Sequence, residues 1–186
     1  MNFEMALEEL IGGLPAYAKD LKLNYSSLVK QNTELTKQQL WGTVVSAAIA
    51  TRNPELTAAV IAESEANGLN AGALDAAKAA AAIMGMNNVY YRFHHLTSNE
   101  KYATLPARLR MNALRGHSVE HVDFELWCLA VSAVNACGKC VDSHEQVLRQ
   151  KGATEELINA AIRVTSVIHA IGVVLDSEKA SPTPAA

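Results

Sequence analysis

Two cysteines separated by two residues, Cys137 and Cys140, carry the strongest chemical signal in this sequence. Cysteines at this spacing at the start of a helix lie close enough to form and break a disulfide with little rearrangement. The first turn of a helix also favours a thiolate, because its free backbone N–H groups and its dipole are positive, and Lys139 adds a further cation. The motif therefore predicts a redox-active thiol pair.

Two further residues are candidates for moving the thiol proton. His144 follows Cys140 by about one helical turn on the same face, where an imidazole can accept a proton and return it to a leaving group. Glu125 lies near the start of the preceding predicted helix, so it reaches His144 only if the two helices fold back on each other. The alternatives are that Glu125 complements the helix dipole and that His144 is an ordinary surface histidine.

A CxxC motif is also half of many zinc sites, which is the main alternative to a redox pair. The chain has no second CxxC or CxxH, however, and Cys128 and His169 are poorly spaced to complete a tetrahedron. We therefore predict no metal site. Cys128, beside Trp127 in an apolar segment, is predicted to be a buried small hydrophobe. The histidines without ligand or relay spacing are given no role: His94, His95, His117, His121 and His169.

The composition excludes several classes of protein. The 186 residues are 49% hydrophobic and 19% charged, which fits one folded domain rather than a disordered chain. A net charge of −3 leaves no basic footprint for nucleic acid. The most apolar stretches are broken well before the ~20 residues needed to span a membrane, and the N-terminus is acidic where a secretory signal is basic. Three cysteines do not form a disulfide framework, so we predict a soluble, cytoplasmic protein.

The elements that must position these residues are predicted to be helices, giving an all-α fold. Alanine is abundant, proline is rare, and no segment shows the two-residue alternation of a half-buried strand. We expect a single domain over residues 1–175 and a flexible tail over 176–186. The predicted helices are Met1–Ala18, Thr36–Ala50, Pro54–Asn67, Ala71–Val89, Pro106–Arg115, Asp123–Ala136, Cys140–Lys151 and Thr154–Leu175.

Self-comparison indicates a degenerate internal repeat. Residues 39–50 match residues 125–136 at one offset, and this offset superposes the only two tryptophans, Trp41 and Trp127. We interpret the match as two three-helix units spanning approximately 36–91 and 122–175, although alanine-rich helices can also resemble one another by chance.

At the same offset, the reactive residues of the second unit can be compared with the residues at the corresponding positions of the first unit. It places inert residues opposite the thiol pair and its histidine: Thr51 opposite Cys137, Pro54 opposite Cys140 and Ala58 opposite His144. A reactive set confined to one of two related units is typical of a functional site added to a scaffold.

Several longer blocks accompany these residues. They are Phe124-Glu125-Leu126-Trp127, Val131-Ser132-Ala133, Cys137-Gly138-Lys139-Cys140, His144-Glu145 and, upstream, Met84-Gly85-Met86-Asn87-Asn88-Val89-Tyr90-Tyr91-Arg92. These blocks resemble the alkyl hydroperoxidase D (AhpD) family of the carboxymuconolactone decarboxylase-like superfamily. The resemblance covers nearly the whole chain.

The resemblance implies a function and partners. It implies an all-α fold with two related halves, assembled as a homotrimer, and a thiol-dependent alkyl hydroperoxide reductase without a bound cofactor. The enzyme would also reduce the peroxiredoxin AhpC. Its electrons would come from dihydrolipoamide on the succinyltransferase component of the 2-oxoglutarate dehydrogenase complex.

The resemblance also implies roles for individual residues. Cys140 would be the deeper thiol that attacks the peroxide, and Cys137 the more accessible partner that closes the disulfide. Glu125 and His144 would form the proton relay. Well-known members carry histidine between the cysteines, where this chain has Lys139; a lysine can stabilise a thiolate but does not relay protons near pH 7.

Two other functions stay open on the sequence. One is a protein-disulfide reductase whose peroxidase activity is incidental. The other is a non-redox, decarboxylase-like member of the superfamily in which the thiols have no role, although such decarboxylases typically lack the CxxC motif.

Overall fold

The protein is all-α over residues 6–180, the part of the chain that the computed structural model describes. No β-strand occurs in that range, so the predicted fold class is confirmed. Eight α-helices follow one another: α1 (Leu7–Gly12), α2 (Lys19–Tyr25), α3 (Lys37–Thr51), α4 (Pro54–Ala66), α5 (Ala71–Leu96), α6 (His121–Val134), α7 (Gly138–Gln150) and α8 (Glu155–Ala180).

The helix ends follow from the residues that flank them. Thr36 and Gln39 form a capping box at the start of α3, in which each side chain bonds to the other residue's backbone. Asn53 caps α4 by accepting a hydrogen bond from the Leu56 N–H at 2.8 Å. Gly68 and Gly152 follow α4 and α7 with φ of 90° and 87°, a conformation that favours glycine. These boundaries agree with the predicted ones to within a few residues.

The core is built around α3, which packs against α5, α6 and α8. Gly42 of α3 lies so close to the Trp127 ring of α6 that a Cβ at this position would overlap the ring. The Trp127 indole N–H donates to the Gln39 carbonyl at 3.3 Å. Because Trp127 is completely buried, helix α6 is fixed in the core, and with it the candidate residue Glu125.

The N-terminal segment differs from the single helix predicted over Met1–Ala18. Residues 1–5 lie outside the described range, and α1 ends at Gly12. Pro15 follows, which lacks an N–H and disfavours helical geometry in the residue before it. The chain resumes as a 3₁₀ turn over Ala16–Ala18, then α2, then a π-helical turn over Ser26–Lys30. The helix α2 was not predicted.

The helix predicted over Pro106–Arg115 is wrong. That segment contains only a 3₁₀ turn over Asn112–Leu114, and Arg108 has a left-handed φ of 51°. None of residues 106–115 is buried. A helix this short is unstable without a face packed against the core, so the local helix propensity does not prevail.

Helix α8 extends to Ala180, so residues 176–180 of the predicted tail are helical; residues 181–186 lie outside the described range. Side-chain contacts hold this end in place. Asn53 donates to Asp176 at 2.7 Å, and Lys179 pairs with Glu55 at 2.6 Å. The predicted end at Leu175 was too early because these contacts join residues far apart in the sequence.

The length of α8 also bears on the predicted absence of a membrane-spanning stretch. Of the described helices, α8 alone is long and apolar enough to cross a membrane, with a mean hydropathy of 1.7 over 18 residues. The expectation that every apolar stretch is too short therefore does not hold for α8. Half of this window is buried in the protein, where α8 packs against α2, α3 and α6, so we interpret α8 as a core helix.

Helices α3 to α5 and α6 to α8 form two similar series. Their lengths are 15, 13 and 26 residues in the first series and 14, 13 and 26 in the second. Left-handed residues follow corresponding helices, Arg52 and Gly68 in the first series and Ala136 and Gly152 in the second, at equal spacing. The internal duplication stays an interpretation of these similarities.

The left-handed residues mark bends in the chain, and these bends revise which residues correspond between the two series. Matching the bends places Asn53, Leu56 and Val60 opposite Cys137, Cys140 and His144, instead of the predicted Thr51, Pro54 and Ala58. The difference of two residues arises because α3 extends further beyond its tryptophan than α6 does. None of the three new counterparts is a thiol or an imidazole, so the reactive set is still confined to the second series.

Candidate active site

The turn between α6 and α7 presents the thiol pair, and α5 holds that turn. Ala136 has a left-handed φ of 53°, which redirects the chain. Asn135 donates to the Asn88 side chain of α5 at 3.0 Å, and its carbonyl accepts from the Arg92 guanidinium at 2.6 Å. Cys137 directly follows as the N-cap of α7. The position of the first cysteine is therefore set by contacts from a third helix.

Cys137 and Cys140 form a disulfide, with their Cα atoms 5.3 Å apart. Cys140 lies in the first turn of α7, as predicted. Cys137 is completely buried, whereas Cys140 is 6% exposed and forms part of a cavity wall. The prediction that Cys140 is the deeper cysteine is therefore wrong for this disulfide form, because Cys137 lies inside the α6–α7 turn and Cys140 faces the cavity.

The two predicted relay residues are in direct contact. His144 Nδ1 lies 2.7 Å from Glu125 Oε2, and the two side chains are only 12% and 9% exposed. A carboxylate accepts a hydrogen bond, so this contact places a hydrogen on Nδ1 and leaves Nε2 toward the other side of the ring. His144 Nε2 lies 3.2 Å from the Met84 sulfur. Helices α6 and α7 do fold back on each other, as the relay requires.

A second histidine contacts the same carboxylate. His121 Nε2 lies 3.5 Å from Glu125 Oε1, one turn earlier on α6, and its ring stacks on the His117 ring. No role was predicted for His121 or His117 from the sequence. The four-residue spacing between His121 and Glu125 was the signal that could have identified this contact.

A cavity of about 330 Å³ opens beside the thiol pair. Cys140 and His144 share its wall with residues from α5 and from the segment around the 3₁₀ turn at Asn112. The other lining residues are Met84, Asn87, Tyr91, Met111, Leu114, Lys139 and Ser143. Most of these come from parts of the chain that no spacing rule connects with the cysteines, so they were not predicted from the sequence.

Lys139 places a positive charge at the mouth of this cavity. Its side chain is exposed, and its Nζ lies 5.7 Å from the centre of the Tyr91 ring, within the range of a cation–π contact. The ammonium therefore lies against an aromatic residue of α5, and Lys139 lines the same cavity as Cys140. This is consistent with stabilising a thiolate electrostatically.

Cys128 lies apart from this site, in the core. It is completely buried, as predicted, and burial raises the pKa of its thiol well above the ordinary value, with a smaller contribution from the Glu125 charge. A thiol held neutral in this way is a poor nucleophile. Among residues 6–180, no group of three His, Cys, Asp or Glu side chains is placed to hold a metal ion.

The helical fold and this site define a class of protein, an all-α scaffold in which a CxxC disulfide lies next to a buried Glu–His pair. The family model described as carboxymuconolactone decarboxylase family matches residues 100–180. The chain is 67% identical over 182 residues to alkyl hydroperoxide reductase AhpD of Acidobacterium capsulatum, covering 98% of this chain and 99% of that protein.

Two further relatives carry the same name. The protein from Solibacter usitatus is 58% identical over 94% of this chain and 97% of its own length. The protein from Koribacter versatilis is 59% identical over 94% of this chain and 90% of its own length. The chain belongs to the AhpD family of the carboxymuconolactone decarboxylase superfamily.

Proposed function

We propose that this chain is a thiol-dependent alkyl hydroperoxide reductase. The observation that carries the proposal is the arrangement of Cys140, which is paired with Cys137 in a disulfide and lies on the wall of a cavity together with His144, the residue that Glu125 contacts. The names of the relatives support the same activity.

The reaction divides into three balanced steps. The Cys140 thiolate attacks the terminal oxygen of a hydroperoxide; the O–O bond breaks, the sulfur is oxidised to a sulfenic acid, and the alkoxide takes up a proton to become an alcohol. The Cys137 thiol then attacks the sulfenic acid, forming the disulfide and releasing water. A dithiol reductant finally restores both thiols and becomes a disulfide itself.

His144 is proposed to move the protons in these steps. It accepts the proton of the Cys140 thiol and returns it to the departing alkoxide. Glu125 orients the imidazole through the 2.7 Å contact and stabilises the imidazolium that forms when the thiol is deprotonated. Lys139 does not relay protons in this scheme, and its charge favours the Cys140 thiolate.

Dihydrolipoamide is the proposed reductant, supplied externally by a lipoylated subunit of a dehydrogenase complex, and no bound cofactor takes part. A dithiol at the end of a long, narrow chain can enter the cavity and reach a disulfide that is almost completely buried. Reduction of the peroxiredoxin AhpC is the second proposed reaction, and it uses the same pair of thiols.

The proposal includes a cytoplasmic homotrimer. One supporting feature is a row of exposed apolar side chains on α5, spaced for one helical face: Val89, Phe93 and Leu96. Contact between subunits would remove this surface from water. Sedimentation equilibrium of the wild type and of Phe93→Glu measures the oligomeric state directly. A monomeric wild type contradicts the proposed trimer.

The function is tested by following lipoamide-dependent reduction of cumene hydroperoxide, with NADH and lipoamide dehydrogenase to recycle the lipoamide. We expect turnover by the wild type and none by Cys140→Ser. Cys128→Ser serves as the matched control, because it removes a thiol outside the cavity. Undiminished turnover by Cys140→Ser contradicts the scheme.

The alternative of a dedicated protein-disulfide reductase requires a partner protein to reach Cys140 through the cavity, as the proposed reduction of AhpC also does. A mixed disulfide between Cys137 in Cys140→Ser and an oxidised peroxiredoxin tests this alternative. The non-redox alternative predicts that the pair never oxidises reversibly, which thiol titration before and after treatment with dihydrolipoamide measures.

A further inference from the structure

A buried side chain in the wall of the cavity lacks a hydrogen-bond partner. Among the described residues, two buried side-chain oxygens have none, Thr43 Oγ1 and Asn87 Oδ1. Thr43 lies in the core helix α3, away from the cavity, whereas Asn87 forms part of the cavity wall beside Cys140 and His144. Asn87 is only 4% exposed, so its oxygen has lost water without gaining a protein partner.

The neighbouring Asn88, on the same helix, has hydrogen-bond partners for both ends of its side-chain amide. Asn88 donates to Ser132 at 2.9 Å and accepts from Asn135 at 3.0 Å, which ties α5 to α6 and to the α6–α7 turn. No such contact involves the Asn87 side chain within residues 6–180. A buried acceptor left unpaired costs stability, so a structural role does not explain asparagine at this position.

The wall around Asn87 is otherwise mainly apolar. Met84 and Tyr91 lie on the same face of α5, and Met111 and Leu114 approach from the segment that follows. A hydroperoxide has matching features: an O–H donor and two acceptor oxygens at one end and an organic group at the other. A carboxamide both accepts and donates, so it can bond to the peroxide end while the apolar side chains contact the organic group.

We propose that Asn87 binds the hydroperoxide group of an organic hydroperoxide and holds its terminal oxygen toward Cys140. The inference rests on the proposed function and names a residue that binds the substrate of that reaction. Asn87 neither gains nor loses a proton and forms no covalent bond. The bond to the substrate gives the carboxamide a partner that it lacks in the free protein, which favours binding of the peroxide over binding of an apolar molecule of equal size.

The test compares Asn87→Leu, which keeps the shape of the side chain but removes both polar atoms, with the wild type. The rate of oxidation of the reduced enzyme by cumene hydroperoxide is measured by stopped-flow under single-turnover conditions. The rate of alkylation of the same thiols by iodoacetamide is measured in parallel, because alkylation needs the thiolate but no peroxide site. Thermal unfolding shows whether each variant is folded, and Asn87→Ala provides a second, smaller replacement.

We expect oxidation by cumene hydroperoxide to slow about tenfold in both variants, which corresponds to the loss of one hydrogen bond. We expect alkylation within twofold of the wild type, and a melting temperature for Asn87→Leu equal to or above that of the wild type. An unchanged oxidation rate overturns the inference, because the carboxamide then has no role toward the substrate. An equal fall in both rates also overturns it, because Asn87 then acts on the thiol. Failure of the wild type itself to reduce peroxide counts against the proposed function instead.

Discussion

Replacement of Glu125 by glutamine is the most informative perturbation of the relay. Glutamine keeps the shape of the side chain and an oxygen that can accept from His144 Nδ1, but it removes the negative charge. In the structure that charge lies 2.7 Å from the imidazole, and both side chains are almost completely shielded from water. The variant therefore isolates how much the carboxylate stabilises the imidazolium formed when Cys140 loses its proton.

The expected effect follows from this geometry. A hydrogen bond to a charged group contributes about 1.5–3 kcal/mol and a neutral one about 0.5–1.5 kcal/mol, so loss of the charge alone costs about 1–1.5 kcal/mol, which is a rate loss of about 5- to 13-fold at 25 °C. Burial places the expected loss within this range rather than near the value of less than 1 kcal/mol typical of exposed ion pairs. We expect the loss in the rate of Cys140 oxidation, with the melting temperature little changed.

The assay is stopped-flow oxidation of the reduced enzyme by cumene hydroperoxide, and the chain provides a matched control. Asp123 is a second buried carboxylate on α6, but it accepts from Gln38 and Gln39, whereas Glu125 contacts His144. Asp123→Asn should therefore affect stability more than rate. The reasoning is refuted if Glu125→Gln reacts within threefold of the wild type, or if Asp123→Asn loses as much rate.

Three further predictions follow from single contacts. Lys139→Met should slow iodoacetamide alkylation of the reduced pair severalfold near pH 7 but not at pH 10, and equal rates at pH 7 would contradict a role for the charge. Gly42→Ala should lower the free energy of unfolding by about 1–3 kcal/mol, because the new Cβ overlaps the Trp127 ring. Gly85→Ala, at an open helical position, should raise the free energy of unfolding by up to about 1 kcal/mol. Similar denaturation midpoints for the two variants would contradict this packing. Cys128 should resist alkylation at pH 8 in the folded protein and react after denaturation, because burial raises the pKa of its thiol; rapid modification of the folded protein would contradict this.

The helices of the core were predictable because their ends carry local signals. Thr36, Asn53 and Gly68 act within one turn of the helix that they begin or end, so the sequence around them is sufficient. The end of α8 was not predictable in this way, since it depends on contacts with α4 and with Asn53, its N-cap. The segment over 106–115 shows the converse, because helix propensity without a buried face does not produce a helix.

The candidate site was predictable where residue type and spacing on one helix were sufficient. Cys140 and His144 lie one turn apart on α7, and Glu125 was connected with them through the resemblance to the AhpD family. Asn87 could not be connected in this way, because its approach to the cavity depends on how α5 packs against α6 and α7. The exposure of the two cysteines was predicted in the wrong order for the same reason.

The central claim is that Cys140 attacks the peroxide and Cys137 resolves the product. The most direct test treats reduced Cys137→Ser and Cys140→Ser with one equivalent of cumene hydroperoxide in the presence of dimedone, and locates the adduct by peptide mass spectrometry. We predict a sulfenic acid adduct on Cys140 in Cys137→Ser, formed at a rate close to that of wild-type oxidation, and no adduct on Cys137 in Cys140→Ser. A rapid adduct on Cys137, with Cys140 unmodified, would contradict the account.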